Sequence, residues 1–265
     1  MMNERLKGKT VVITGATGGL GERMAHLCAA SGARLVLLAR NKEKLEQITG
    51  QIHAQHQSAC LPVVLDLSRH EDIAPVFQSI LKQTGAIDVL VNNAGYGVFA
   101  EAGDVALADL QGMFAVNVVG LIACTKEVIP SMKERRSGHI INISSQAGKI
   151  ATPKSSVYAA TKHAVLGYTN SLRMELSDFG VFVTAVNPGP MATNFFDIAD
   201  PSGSYVKNVG RFILRADKVA QKIVDAMMTR QREINLPVWM NAGSIAYTLF
   251  PGLVERLGKR AFFKK

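Results

Sequence analysis

Short apolar runs alternate along the chain with longer stretches in which apolar residues recur every three or four positions. The short runs are rich in Val, Ile and Leu, which is typical of buried β-strands. They cover residues 10–14, 34–39, 61–65, 87–91, 139–143, 181–186 and 233–236. The longer stretches predict helices over about 20–31, 41–56, 72–84, 110–135 and 156–178. Apolar strands with helices between them indicate an α/β fold, in which a parallel sheet is covered on both faces.

Two segments depart from this alternation. Residues 188–215 form a long irregular stretch, and loops of that length are often lids or binding segments. Its aromatic side chains would either line an apolar pocket or pack the loop against the domain. They are Phe195, Phe196, Tyr205 and Phe212. Residues 237–265 form a C-terminal extension, in which an uncharged apolar stretch precedes a basic tail.

Composition narrows the class of protein. With 265 residues, 48% of them hydrophobic, we expect a single α/β domain over residues 1–236. The three cysteines lack metal-ligand spacing, so we expect reduced thiols, a cytoplasmic protein and no metal site. Residues 1–8 contain no apolar run, and no signal peptide is visible. The net charge of +9 is spread along the chain, which argues against a nucleic-acid partner.

A glycine-rich turn joins the first predicted strand to the first predicted helix, with the sequence Thr14-Gly15-Ala16-Thr17-Gly18-Gly19-Leu20-Gly21. Glycines let the backbone approach a pyrophosphate closely, and a helix N-terminus supplies free N–H groups and a positive dipole end. The turn is one residue longer than the usual dinucleotide fingerprint. Its place at the first crossing from strand to helix favours nucleotide binding over a mere tight connection.

The second strand ends at Ala39, and Arg40 follows it. NAD-binding sites usually place a carboxylate there, which accepts from the ribose 2′-hydroxyl. A guanidinium can instead bind a 2′-phosphate through two hydrogen bonds and stack on adenine. Arg40 therefore predicts a preference for NADP(H) over NAD(H), unless it is an ordinary surface arginine.

Two further strand ends would contact the same ligand. Asp66, which precedes Leu67 at the end of the third strand, can accept from the adenine amino group. Asn93, Ala94 and Gly95 end the fourth strand, and their small size would let the chain pass close to a ribose.

Tyr158 and Lys162 are one helical turn apart, so they share one face of the predicted helix. A lysine ammonium beside a phenol favours the phenolate, and so lowers the tyrosine pKa from about 10 toward neutral pH. Tyr158 is therefore a candidate general acid/base, with the Ser144-Ser145 pair upstream. The spacing alone also fits an ordinary half-buried contact.

Together these residues resemble the short-chain dehydrogenase/reductase family, and in particular its branch of hydroxysteroid-dehydrogenase-like bacterial reductases. The resemblance covers about residues 9–236. In chain order its motifs are Thr14-Gly15-x-x-x-Gly19-x-Gly21, Asp66, Asn92-Asn93-Ala94-Gly95, Asn117, Ser145, Tyr158-x-x-x-Lys162 and Asn187-Pro188-Gly189. The resemblance implies a doubly wound Rossmann fold with a seven-stranded parallel sheet. The family's usual spacing of thirteen residues between serine and tyrosine selects Ser145.

The resemblance also implies a set of catalytic roles. Hydride would pass between the nicotinamide and the substrate carbon, while Tyr158 exchanges a proton with the substrate oxygen. Ser145 would donate a hydrogen bond to that oxygen. Lys162 would hold the nicotinamide ribose, and Asn117 would connect Lys162 to solvent through its carbonyl and a water. Asn117 is alternatively an ordinary buried polar residue.

The remaining implied cofactor contacts come from Pro188, Gly189 and Thr193, which would hold the nicotinamide ring and its carboxamide. Thr193 is alternatively a helix N-cap. Two residues depart from the family pattern. Gly18 stands where many NADP-preferring members carry a basic residue, and Gln146 either touches substrate or is exposed.

These features predict an NADPH-dependent carbonyl reductase or alcohol dehydrogenase that acts on a small molecule, which would be apolar if the loop aromatics line the pocket. A catalytically silent nucleotide-binding regulator or scaffold is the alternative. The helices bearing Asn117 and Tyr158 commonly form the subunit interface in this family, which implies a homodimer or homotetramer. Residues 237–265 would pack over the active site or against a partner subunit, which we favour, or would touch a membrane surface peripherally.

Overall fold

A computed structural model of the chain describes residues 2–200, 203, 207, 210 and 213–262. Its centre is a seven-stranded sheet in the order β3-β2-β1-β4-β5-β6-β7, and every neighbouring pair is parallel. The strands are β1 (Thr10–Thr14), β2 (Arg34–Ala39), β3 (Cys60–Val64), β4 (Val89–Asn92), β5 (Gly138–Ile143), β6 (Val181–Pro188) and β7 (Glu233–Leu236). The predicted doubly wound Rossmann fold is confirmed.

Helices cover both faces of this sheet. They are α1 (Gly19–Ala30), α2 (Lys42–His56), α3 (His70–Thr84), α4 (Leu107–Phe114), α5 (Leu121–Arg135), α6 (Ser156–Leu176), α7 (Phe195–Ala199), α8 (Ala216–Ala226), α9 (Val238–Leu249) and α10 (Pro251–Phe262). Successive strand residues point to opposite faces. Val11 and Ile13 therefore pack in the apolar layer shared with α1, α2 and α8, whereas Val12 packs with α3, α5 and α6.

The strand ends differ from their predicted positions by up to two residues. β4 begins at Val89 rather than residue 87, and just before it the Asp88 carboxylate accepts from the Thr10 N–H at 2.9 Å. β6 continues to Pro188, which pairs with Leu236 of β7. β3 is an edge strand with Pro62 at its centre, which is a position that tolerates proline.

The long helical stretch begins at Leu107, three residues before its predicted start, and runs to Arg135. A π-helical turn, Ala115–Gly120, separates α4 from α5. Among the described residues, Leu107–Arg135 is the one helical stretch long and apolar enough to cross a membrane, and 28% of its most apolar 18-residue segment is buried. Core helices of soluble proteins share that length and composition, so the finding is weak evidence for a span.

The two segments that depart from the alternation of strands and helices both contain regular structure among their described residues. Residues 188–215 contain α7, and an isolated bridge joins Met191 to Leu214. Tyr205 and Phe212 lie outside the described residues. The C-terminal extension forms two helices, α9 and α10, and α9 follows β7 directly.

Candidate functional site

The glycine-rich turn lies at the carboxyl end of β1, next to β4, where the strand order reverses. Ligands of open α/β sheets bind at such switch points. Gly15 and Gly19 have φ angles of +64° and +53°, a region that favours glycine. A Cβ on Gly15 would lie 2.8 Å from Ala94 Cα, and one on Gly21 would collide with the Gly15 carbonyl. The turn therefore forms a cradle that side chains would fill, which fits a bound pyrophosphate.

At the start of the helix that follows this turn, the N–H groups of Gly21 and Glu22 donate to the Gly18 carbonyl, which leaves those of Gly19 and Leu20 for a ligand. Gly18 is the N-cap of α1 and makes no side-chain capping bond. Thr17 is half-buried in the turn, whereas Leu20 is buried and contributes to the core. The free N–H groups of α1 suit an anion.

A hydrogen-bond cluster fixes the cradle to the end of β4. Thr14 Oγ1 accepts from the backbone N–H groups of Asn93 and Ala94, both at 3.0 Å. Asn93 Nδ2 donates to the carbonyl oxygens of Thr14 and Gly15 at 3.0 Å. The predicted cofactor residues of β1 and β4 are thus held together as one unit.

Basic residues lie near the predicted adenosine end of the site. Arg40 is exposed at the end of β2. Burial acts to raise the pKa of Asp66, but hydrogen bonds from Ser68 and the charges of Arg40 and Arg69 leave it lowered. Asp66 is therefore a carboxylate at neutral pH, and it lies two residues beyond the end of β3, before the buried Leu67.

Lys44, which is part of no sequence motif, belongs to the same region. A Cβ on Gly18 would lie 3.9 Å from Lys44 Nζ, so the ammonium lies over the glycine-rich turn. Lys44 is in the first turn of α2, whose N-cap Asn41 accepts from the Lys44 N–H at 2.8 Å. The only indication of this in the sequence is that Lys44 is a basic residue four positions after Arg40.

Tyr158 and Lys162 are both buried, on the inward face of α6. Lys162 Nζ lies 5.7 Å from the centre of the Tyr158 ring and donates to the Ile143 carbonyl at 2.9 Å. Burial lowers the pKa of Lys162 to about 8. The lysine is therefore still largely an ammonium at neutral pH, next to the phenol.

The two serines at the end of β5 make different contacts. Ser145 Oγ accepts from the Ala147 N–H at 3.1 Å and donates to the Pro188 carbonyl at 3.4 Å. Ser144 is buried, and its Oγ donates to the Lys162 carbonyl at 3.0 Å. Ser145 thus lies between β5 and β6, while Ser144 fastens β5 to α6.

Asn117 lies in the π-helical turn and is fully buried. Its side chain accepts from the Tyr96 N–H at 3.0 Å and donates to the Tyr96 carbonyl at 2.8 Å. A Cβ on Gly95 would lie 3.0 Å from Asn117 Oδ1 and 3.6 Å from Lys162 Nζ. Because Gly95 has no side chain, Asn117 and Lys162 can both lie close to it. The π-helical turn that carries Asn117 is a type of turn frequent at functional sites.

The segment after β6 closes the other side of the site. Thr193 packs on Gly19, whose Cβ would lie 3.2 Å from Thr193 Cβ. Thr193 Oγ1 also accepts from the Phe195 N–H at 3.4 Å, close to the start of α7, where Asn194 is the N-cap. Gly189 N donates to the Leu236 carbonyl at 2.6 Å.

Aromatic rings surround Tyr158. The ring centres of Phe195 and Phe99 lie 5.5 and 5.9 Å from that of Tyr158. Phe99 N also donates to the Ala199 carbonyl at 2.9 Å, so α7 is fastened to this segment. Phe195 therefore both packs the loop against the domain and contributes to an apolar wall at the tyrosine.

The positions of Gly97 and Gln146 depend on contacts between distant parts of the chain. A Cβ on Gly97 would lie 2.9 Å from Tyr158 Cδ2, a constraint that no sequence motif signals. Gln146 is buried rather than exposed, because its Nε2 donates to the Asn187 carbonyl at 2.9 Å. Of the two alternatives for Gln146, contact with substrate or exposure, the second is wrong.

Comparison with known proteins agrees with this geometry. A family model described as short chain dehydrogenase matches residues 9–201. Dehydrogenase/reductase SDR family member 7B of Rattus norvegicus is 35% identical over 98% of this chain and 80% of its own length.

Solved structures with this fold contain both nicotinamide cofactors. A short-chain dehydrogenase from Sphingobium yanoikuyae in complex with NADPH has a TM-score of 0.81 and 26% identity, over 92% of this chain and 95% of its own. One from Burkholderia phymatum in complex with NAD has a TM-score of 0.85 and 25% identity, over 94% and 95%. The likeness therefore supports a nicotinamide cofactor without separating NADP from NAD.

Proposed function

Because this chain belongs to the short-chain dehydrogenase/reductase family, and is thereby an NAD(P)-dependent oxidoreductase, we propose that it reduces a carbonyl group with NADPH or oxidises the corresponding secondary alcohol. The observation that carries the proposal is the buried pair of Tyr158 and Lys162, with the Lys162 ammonium 5.7 Å from the phenol ring. Such a pair can transfer a proton without a histidine.

In the reductive direction Tyr158 gives its phenolic proton to the substrate oxygen. The Lys162 ammonium then stabilises the phenolate that remains, because an opposite charge favours the ionised form. The aromatic wall of Phe99 and Phe195 keeps water away from the ring, which strengthens this electrostatic effect.

Ser145 orients the substrate oxygen. Its Oγ donates only a long bond, 3.4 Å, to the Pro188 carbonyl, and the same hydroxyl can redirect its proton to a substrate oxygen. Its acceptor bond from the Ala147 N–H meanwhile fixes the position of the oxygen atom. Ser145 then stabilises the negative charge that develops before the proton arrives.

Asn117 acts as a positioning residue. Its paired hydrogen bonds with Tyr96 hold the π-helical turn against the segment that follows β4. Its backbone carbonyl would accept a hydrogen bond from a water, and that water would connect Lys162 to solvent.

NADPH, when bound, supplies the hydride. The glycine-rich turn and the N-terminus of α1 would hold its pyrophosphate, while Thr193, Pro188 and Gly189 would lie against the nicotinamide. The preference for NADPH rests on Arg40 and Lys44, two cations at the adenosine end that suit a 2′-phosphate. Asp66 would accept from the adenine amino group.

The substrate is proposed to carry an apolar group next to its carbonyl, since Phe99, Phe195 and Phe196 form an aromatic cluster at Tyr158. Assembly is proposed to use the long helix and α6. Leu107, Val119 and Met174 on these helices are exposed apolar residues that a second subunit would cover.

A panel of apolar ketones and aldehydes, assayed with NADPH and with NADH, tests the proposed reaction. We expect turnover of at least one compound that is lost in Tyr158→Phe. Tight NADPH binding without any Tyr158-dependent turnover would instead identify a nucleotide-binding scaffold.

A further inference from the structure

Both C-terminal helices expose apolar side chains. Val238, Ala242, Ile245 and Leu249 of α9 are spaced by four, three and four residues, which places them on one face of the helix. All four are exposed, with Ile245 and Leu249 at 53% and 64%. These four residues form the outer face of α9.

The opposite face of α9 is firmly attached to the domain. Met240 packs against Gly189, whose Cβ would lie 3.0 Å from Met240 Sδ. Lys149 Nζ donates to Asn241 Oδ1 at 3.3 Å, and Ser244 is buried. The orientation of α9 is therefore fixed, and its apolar outer face points away from the domain.

The next helix extends the surface and adds charge. Leu253 and Leu257, one turn apart in α10, are exposed at 57% and 77%. Residues 251–265 contain five basic residues and one acidic residue, Glu255. The Glu255 carboxylate accepts from the Tyr247 hydroxyl at 3.1 Å. The segment thus joins an apolar stripe to a strong excess of positive charge.

We propose that α9 and α10 dock this protein in the surface of an anionic lipid membrane. Charge complementarity favours an anionic membrane over a second copy of the chain as the partner of this surface. A second copy, related by a two-fold axis, would bring two positively charged segments together, whereas anionic headgroups would neutralise them. Apolar residues on one face and basic residues beside them are the features of a helix that lies in the interface. At 12 residues, about 18 Å, α9 is too short to cross a bilayer.

Vesicle co-sedimentation of the full chain tests the proposal. Vesicles of phosphatidylcholine with phosphatidylserine are expected to bind the wild-type protein at least tenfold more tightly than vesicles of phosphatidylcholine alone. The double substitution Ile245→Glu/Leu249→Glu should weaken that binding at least tenfold, because it places carboxylates against the acyl chains. Val64→Glu is the matched control, since Val64 is an exposed apolar residue on the edge strand β3, and it should bind as wild type.

Circular dichroism and NADPH binding establish that each variant is folded. If the α9 variant does not fold, Leu253→Glu/Leu257→Glu on α10 replaces it with the same expectation. The proposal is overturned if wild-type protein does not bind the anionic vesicles, or if a folded variant binds them unchanged. It is equally overturned if the substitutions only lower the oligomeric mass in sedimentation velocity, because a second copy would then cover this surface.

Discussion

Lys162 Nζ donates to the Ile143 carbonyl while lying 5.7 Å from the centre of the Tyr158 ring, and both side chains are buried. The strand end thus holds the ammonium at one position relative to the phenol. Deprotonating Tyr158 replaces a neutral ring beside a buried cation by a charge pair, which is favourable in a site of low dielectric.

Tyr158→Phe is expected to lower kcat about 10²–10⁴-fold, because it removes the proton donor and keeps the ring packing. Steady-state kinetics with NADPH measure the loss, and fluorescence titration should show cofactor binding within a few-fold of wild type. Tyr168→Phe is the matched control, a tyrosine on the same helix. Comparable losses in the two variants would contradict the assignment.

Lys162→Met is expected to stabilise the protein while abolishing activity. The pKa of Lys162 is lowered by burial to about 8 in the folded state, whereas a free lysine has a value near 10.5. The unfolded state therefore binds the proton more tightly than the folded state does. Lys162 lowers the free energy of unfolding most below pH 8, where it is charged in both states. This destabilisation disappears as the pH rises to about 10.5.

Urea unfolding measures this effect. At pH 7 the variant should gain on the order of 1–3 kcal/mol over wild type, and the gain should shrink by pH 10. A difference in free energy of unfolding that does not change with pH would contradict the prediction.

Replacing Lys44 or Arg40 is expected to weaken NADPH much more than NADH. Each cation that contacts a 2′-phosphate should account for about a tenfold rise in KM for NADPH, the effect of one charge-assisted hydrogen bond. Arg40→Asp should weaken it further through repulsion. Lys42→Ala, an exposed lysine on the same helix, is the control, and equal effects on both cofactors would refute the NADPH preference.

His139 is expected to make the fold acid-sensitive. It is buried, with its ring nitrogens hydrogen-bonded to Thr184 Oγ1 and the Met228 N–H, and burial lowers its pKa to about 3. Because the unfolded state takes up a proton near pH 6.5 and the folded state does not, stability should fall below that pH by about 1.4 kcal/mol per unit. His139→Gln should remove this part of the slope in urea titrations between pH 7 and pH 5, and an unchanged slope would contradict it.

Gly97→Ala is expected to impair catalysis without a change of charge. The new Cβ would lie 2.9 Å from Tyr158 Cδ2 and 3.1 Å from Phe195 Cζ, so the catalytic ring must shift. We expect kcat to fall at least tenfold, since small misplacements of reacting groups are costly. Gly103→Ala, where a Cβ would meet nothing within 4 Å, should retain wild-type activity.

The sequence alone predicted the seven strands of the sheet, because strands buried on both faces consist almost entirely of apolar residues. It also located the nucleotide turn, whose glycines reflect backbone conformations that favour glycine. It did not locate Lys44, Gly97 or Phe99, whose positions depend on contacts between distant segments. It also could not decide between the two alternatives for Gln146, because the partner that buries this side chain, Asn187, lies on β6.

Pro62 has a consequence for how the folded protein behaves at high concentration. Two hydrogen bonds at the ends of β3 show which of its residues face β2. The Leu35 N–H of β2 donates to the Ala59 carbonyl, and the Leu65 N–H donates to the Ala39 carbonyl of β2. The backbone nitrogens of odd-numbered residues in β3 therefore face β2. The nitrogen of Pro62 therefore lies on the open margin of the sheet, where it has no hydrogen to offer. A strand from another molecule finds a missing donor at the centre of that margin, which protects the protein against edge-to-edge aggregation.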